Sequence, residues 1–484
     1  MSGERPFPAI LRSTNFMESS NLYRLIQSFT AIERKDARRF LESPYFNTRQ
    51  DLIELFDLLC REKAPEPEQV WAAVCPGVAY HDTAFRLLMS YLNRLLETFL
   101  LVQETREKDV RSRLHLAVAY RNRGLLGQYE RNIRAFAREL EEQPLRNAGY
   151  HSLLRDYHFE IHLTTIARKP TDTGSLRALA HSTDVQYLSH RLQLVCLELS
   201  QKNIYHTGED DPLHRDVIAL AERREWRELP GISTYLAAYR MLSYPEEDTY
   251  YQAYKLKLKA VETAFPAHEM REFYMFSINL SIRRANRGER NMEQEVLRLY
   301  RQALEAGYLF ENGILSRFTY HNIVAAGLRC GEMDWVEEFI RLYSPMLERK
   351  YRDSSMSFNL ARLHYARNRF DSVLSLLQKA NYRDPLFSLA AKTLLLKTYY
   401  VLGEYDLLLS HLDAMRNYIH RKKVIGYHRT NYLNIIRYTE RLLYPDSLDR
   451  QAKNTLLKEI EKEQVLTEKE WLLGCLGKEI PTAE

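Results

Sequence analysis

The chain has 484 residues, 45% hydrophobic and 27% charged, with 69 basic and 64 acidic side chains and a net charge of +5. That composition suits a folded chain and argues against disorder, and the near balance of charge is weak support for nucleic acid binding. An all-β fold needs turn residues every ten or so positions, and 17 glycines and 16 prolines are too few for one, so helices are expected.

The five cysteines, Cys60, Cys75, Cys196, Cys330 and Cys475, are scattered, odd in number and form no CxxC pair. They read as small buried hydrophobes in a reducing compartment. No run of about 18 apolar residues is present, and the N-terminus lacks the apolar stretch of a signal peptide. A cytoplasmic protein with no membrane span is expected. The 32 tyrosines leave two readings open, packing between helices or a ligand-facing aromatic surface.

Residues 1–16 carry Pro6 and Pro8 without helical period and read as a flexible leader, which makes Met17 an alternative start. An N-terminal helical region is assigned to 17–108. Helices are expected over 22–29, over 33–41 with a stop at Ser43-Pro44, and over 48–60, where Leu52, Leu55, Phe56 and Leu59 recur at helical spacing. A proline-bearing loop, 64–67, follows. Over 83–102 the broad stripe of Phe85, Leu88, Met89, Leu92, Leu95, Leu96 and Phe99 predicts the strongest amphipathic helix in the chain.

From there a helix, a short turn and another helix alternate, punctuated by Gly124–Gly127, Pro230-Gly231, Gly288, Gly307, Gly313, Gly331, Gly403 and Pro445. Divergent helical hairpins are assigned to 109–290, repeats to 291–445 and capping helices to 446–484. The expected fold is all-α, an α-solenoid of stacked antiparallel helix pairs.

The repeat is clearest between residues 359–377 and 394–412. Tyr365 and Tyr400, Asn368 and Gly403, Phe370 and Tyr405, and Leu377 and Leu412 all recur at an interval of 35 residues. This resembles the tetratricopeptide repeat, whose period is about 34 residues. Leu360 and Ala361 match its first helix, Gly403 its turn glycine, and Phe370 and Tyr405 the aromatic after the turn. Asn368 replaces the glycine in the earlier copy, and asparagine is the next-best residue for a left-handed turn. Val373 and Leu408 depart from the family's small residue, so looser packing is expected there. Ala380 and Pro385 fall at its late alanine and closing proline.

A second resemblance rests on the stretch from Arg39 to Asn47, on Pro76-Gly77 with the helix after it, and on Thr467 to Leu473. These look like an uncharacterised group of bacterial proteins, which implies architecture and no activity.

No phosphate loop, GxSxG elbow or HExxH helix is present. His151, His158 and His162 share a helical face at metal-ligand spacing, but Glu160 is rotated away. A structural face is the first reading and a metal site the second. Glu209-Asp210-Asp211 before Pro212 reads as a helix N-terminus favouring negative charge. Arginines gather over 111–138, with Arg131, Arg134 and Arg138 on one face, then at Arg283, Arg287 and Arg290, and again beside Lys422 and Lys423 at Arg421.

A non-catalytic scaffold for protein–protein interaction follows as the expected function, with no catalytic residue, cofactor or metal assigned. A nucleic-acid-binding helical array and, behind it, a metal protein or enzyme are the alternatives. In the family that the repeat resembles, the first helix of each pair lines a concave groove. That resemblance places Arg362 and Lys397 at one groove-facing position, 35 residues apart, with Tyr365 and Tyr400 a turn further on. Such a ladder suits an acidic, partly hydrophobic peptide.

Overall fold

The computed structural model describes residues 16–61, 65–106, 110–205, 211–289, 291–379, 382, 384–422, 426–443 and 450–477. Residues 1–15 of the expected leader lie outside the described residues, as do Glu209, Asp210, Arg290, Ala380, Lys423 and Pro445. Among the described residues the chain is almost wholly helical, with one two-stranded hairpin. No helix among them is long and apolar enough to cross a membrane. The chain forms two compact units, 1–143 with 152–182, and 144–151 with 183–484.

The first unit holds α1 (Phe16–Ser19), α2 (Asn21–Ser28), α3 (Ala31–Leu41), α4 (Gln50–Arg61), α5 (Pro67–Val74), α6 (Asp82–Arg106), α7 (Val110–Asn122) and α8 (Leu126–Glu142). It also takes the larger part of α9 (Ala148–Arg168) and the start of α10 (Gly174–Tyr205). Local chemistry sets the helix starts. Ser20 Oγ accepts the Tyr23 N–H at 3.2 Å to open α2. Thr30 and Glu33 cap each other across the first turn of α3, the Thr30 N–H reaching Glu33 Oε2 at 2.6 Å. The stripe expected on the long helix is buried on α6, except that Leu95 is half-buried, and packs on Leu52, Leu55, Phe56 and Leu59 of α4 and Ile26 of α2. The short helix α5 has no counterpart among the expected elements; Pro67 at its first turn starts it.

The second unit continues with α11 (Leu213–Ala221), α12 (Pro230–Ser243), α13 (Asp248–Ala260), α14 (Ala267–Ala285) and α15 (Met292–Glu305). The hairpin β1 (Phe310–Glu311) and β2 (Ile314–Leu315) turns through Asn312-Gly313, both with positive φ, a pair that favours two-residue hairpins. After it come α16 (Arg317–Arg329), α17 (Met333–Tyr343), a 3-10 turn at Ser344–Met346, α18 (Arg349–Ala366) and α19 (Phe370–Lys379). The last helices are α20 (Pro385–Leu402), α21 (Tyr405–Arg421), α22 (Gly426–Leu442), α23 (Arg450–Lys462) and α24 (Lys469–Cys475).

Five helix pairs follow in order, α12 with α13 through α20 with α21, each packed on itself. From α15 onward every second helix also packs on the next pair's first helix. First helices touch one another as well, α12 on α14, α16 on α18 and α18 on α20. A shared turn produces this regularity. Gly288, Gly307, Gly331, Asn368 and Gly403 all take positive φ, and the residue after each donates its N–H to a carbonyl five residues back. That bond closes a helix on a left-handed residue and turns the chain sharply into the next helix or, after Gly307, into the hairpin. Asn368 does so at φ 57° without glycine's freedom.

The large buried side chains of this unit include Tyr235, Tyr251, Tyr254, Tyr300 and Tyr320. The hydroxyl of Tyr254 donates to the Phe273 carbonyl at 3.0 Å, and that of Tyr320 to Ile340 at 2.9 Å. These tyrosines fill the space between helices and satisfy their polar tips there.

Candidate functional site

Where α16, α18, α20 and α22 face residues 467–468, they enclose a cleft of about 430 Å³. Phe358, Arg362 and Tyr365 reach it from α18, with Ala390, Thr393, Leu394 and Lys397 from α20. Each set follows the helical period, so one face of each first helix supplies the lining. Three of the four residues singled out from sequence therefore meet at one place.

Arg362 is largely buried in the cleft. Its Nη1 donates to the His321 carbonyl at 3.2 Å and to Asn359 Oδ1 at 3.4 Å, and the guanidinium lies 5.8 Å from the Phe358 ring centroid. Among the described residues it forms no salt bridge. Burial pushes the guanidinium down to about 10, and Arg329 adds to the effect against a pull from Glu468, yet it stays charged at neutral pH.

The neighbourhood holds Arg362 in place. Asn359 Nδ2 donates to the Ser355 carbonyl at 3.0 Å and lies 2.7 Å from His321 Nδ1, which leaves Asn359 Oδ1 to accept from Arg362. Burial against Phe387 drives the His321 imidazole down to about 3, so it is neutral.

Lys397 has a side chain only 14% exposed and pairs through Nζ with Glu468 Oε2 at 2.7 Å. The ammonium also sits 4.9 Å from the Tyr365 ring centroid and 5.9 Å from that of Trp471. Desolvation strengthens cation–π attraction of this kind. Glu468 itself adopts φ 55° and ψ 32°, a left-handed conformation that a non-glycine residue pays to hold.

Tyr400 stands apart from the cleft lining. Its ring meets Trp471 edge-on at 5.4 Å and Tyr405 at 6.2 Å, and burial raises its hydroxyl to about 12. Tyr400 and Lys397 thus both contact Trp471. Thr467, Glu468 and Trp471 are contributions that repeat spacing had no means to show, because they come from the C-terminal segment.

The other sequence candidates are placed as follows. Glu160 is held by Arg121 at 2.8 Å, and His162 Nδ1 lies 3.0 Å from Ser175 Oγ. His151 belongs to the other compact unit from His158 and His162. Among the described residues no group of three or more His, Cys, Asp or Glu side chains is placed to hold a metal ion. Asp211 accepts the Leu213 N–H at 2.9 Å at the start of α11 and pairs with Arg191. In the 111–138 cluster Arg134 and Arg168 share Glu130, and Arg113 meets Glu139. At the end of α14, Arg287 pairs with Glu246.

Comparison with known proteins returns no matching family model, no matching curated protein and no matching solved structure.

Proposed function

We propose that this chain is a cytoplasmic, non-catalytic binding module, a tetratricopeptide-like solenoid of the kind its bacterial resemblance suggests. Its first-helix face takes an acidic, partly apolar peptide from a partner protein. Arg362 and Lys397 receive the peptide's carboxylates, Tyr365 and Phe358 its apolar groups, and Tyr400 supports the wall. The observation that carries this reading is Arg362, a desolvated guanidinium on the cleft that feels Glu468 but makes no ion pair among the described residues. A buried cation without a counter-ion is costly, and a bound carboxylate removes that cost. The carboxylate of Glu468 on Lys397 illustrates the chemistry. Several clustered arginines elsewhere are already engaged with acids, which favours a peptide over nucleic acid.

Fluorescence anisotropy with a labelled library of short Asp/Glu peptides carrying one aromatic residue, set against Asn/Gln counterparts, tests the proposal. Acidic members should bind and weaken with salt. Arg362→Gln and Lys397→Gln should each lose about tenfold in affinity with an unchanged circular dichroism melt. Equal binding of the amide counterparts, or full affinity in both variants, overturns it. Single-stranded nucleic acid binding more tightly than any peptide, with a steep salt dependence, overturns it in favour of the nucleic-acid reading.

A further inference from the structure

A second cleft, of about 340 Å³, lies among α10, α12 and α14 and shares no residue with the Arg362 cleft. Its volume falls in the range of about 300–1,000 Å³ common for small-ligand sites. Leu242, Phe276 and Leu280 make an apolar floor, and Asn203, Asn279 and Arg283 bring polar groups to it.

Arg283 is the exceptional group. Its neighbours at the end of α14 are neutralised, Arg284 by Asp248 at 2.9 Å and Glu289 at 2.6 Å, and Arg287 by Glu246. Among the described residues Arg283 makes no ion pair and no hydrogen bond, and its Nε is sealed from solvent without an acceptor. Burial and the nearby Arg287 lower its guanidinium below the usual arginine value, against a weaker pull from Glu246. Among the described residues Asn279 has no side-chain hydrogen bond either, and Asn203 spends only its Nδ2, on the Leu242 carbonyl at 3.1 Å. Since Arg284 already serves the helix end, Arg283 is not needed there.

We propose that this cleft binds a carboxylate carried on an apolar body, with Arg283 receiving the carboxylate, Leu242, Phe276 and Leu280 the body, and Asn203 and Asn279 the adjoining polar atoms. One planar fork matches one carboxylate, and a single guanidinium without an ion pair among the described residues matches a monoanion. Two sources offer this chemistry, the C-terminus of a chain ending in an apolar residue and a free alkyl carboxylic acid. The site stands independently of the acidic-peptide reading.

Isothermal titration of the full chain with N-acetyl-Ala-Ala-Leu, its C-terminal amide and octanoate tests the proposal. At least one of the two acids should bind. Binding of the peptide alone identifies a chain terminus, and binding of octanoate alone identifies a free acid. The amide should bind at least about ten times more weakly than the peptide acid where that acid binds, and Arg283→Gln should weaken the bound acid by about tenfold without changing the melt. Arg283→Lys should restore part of the loss, and Arg362→Gln should leave this binding untouched. Binding of neither acid, equal binding of acid and amide, or full affinity in Arg283→Gln would overturn the site.

Discussion

Lys397 on α20 and Glu468 just ahead of α24 face each other at 2.7 Å, and Glu468 makes the contact from a left-handed backbone. The two energies are of similar size. A left-handed non-glycine residue costs about 1 kcal/mol or more, and a partly exposed ion pair gives back about 0–1 kcal/mol. The pair therefore does not by itself hold Glu468 where it is. Trp471 packed on Tyr400, and Lys469 Nζ bonded to the carbonyls of Glu461 and Glu463, supply the rest.

Because Lys397 is mostly buried, Glu468→Gln leaves it without its counter-ion and should lower the melting temperature by several degrees. If the cleft takes acidic peptides, the same change frees Lys397 and should raise their affinity about threefold or more. Loss of affinity in the anisotropy assay would show instead that Glu468 orders the site.

Asn368→Gly should be neutral or mildly stabilising, because φ 57° suits glycine best. Asn368→Val should cost roughly 1 kcal/mol or more, since a β-branched residue is strained there. Urea denaturation of both variants checks this, and equal midpoints contradict a turn held in the left-handed conformation.

Gly327 on α16 marks a close helix approach. A Cβ built there lies 2.4 Å from Val336 Cγ2 and 3.3 Å from the Trp335 ring. Gly327→Ala should destabilise by about 1–3 kcal/mol through overpacking. Combined with Val336→Ala it should cost less than the sum of the two single changes, because the second change removes the clashing methyl. Strict additivity in a double-mutant cycle refutes the contact.

Glu295 on α15 carries a pH signature. Burial alone pushes its carboxyl up, but hydrogen bonds from Arg298, Lys255 and Tyr251 outweigh it and hold the group down to about 2. The unfolded carboxyl titrates near 4.5, so the stabilisation is full above that pH and is lost as pH falls toward 2. Its size is on the order of 3 kcal/mol at neutral pH. Glu295→Gln should be clearly less stable than the parent at pH 7, and the gap should narrow below pH 4.5 and close only as pH approaches 2. A difference that stays constant with pH argues against ionisation as the cause.

Much of the local architecture is legible in the residues alone. The apolar period of Phe85 to Phe99, the caps at Ser20 and Thr30, and the left-handed turn at Asn368 are short-range properties, decided within a few residues by sterics and hydrogen bonding. The 35-residue interval likewise carries Arg362 and Lys397 to equivalent faces, since helical period and repeat length together set direction. Tertiary structure alone decides what each side chain meets. Tyr400 turns to Trp471, Lys397 finds Glu468, and Arg317 finds Asp384 at 2.8 Å. Those partners lie 67 or more residues away along the chain, and no local spacing encodes them. The same holds for Arg283 and Arg362. An arginine on a helical face reads as a solvated charge in sequence, and only the packed fold shows that these two are partly buried and without an ion pair among the described residues.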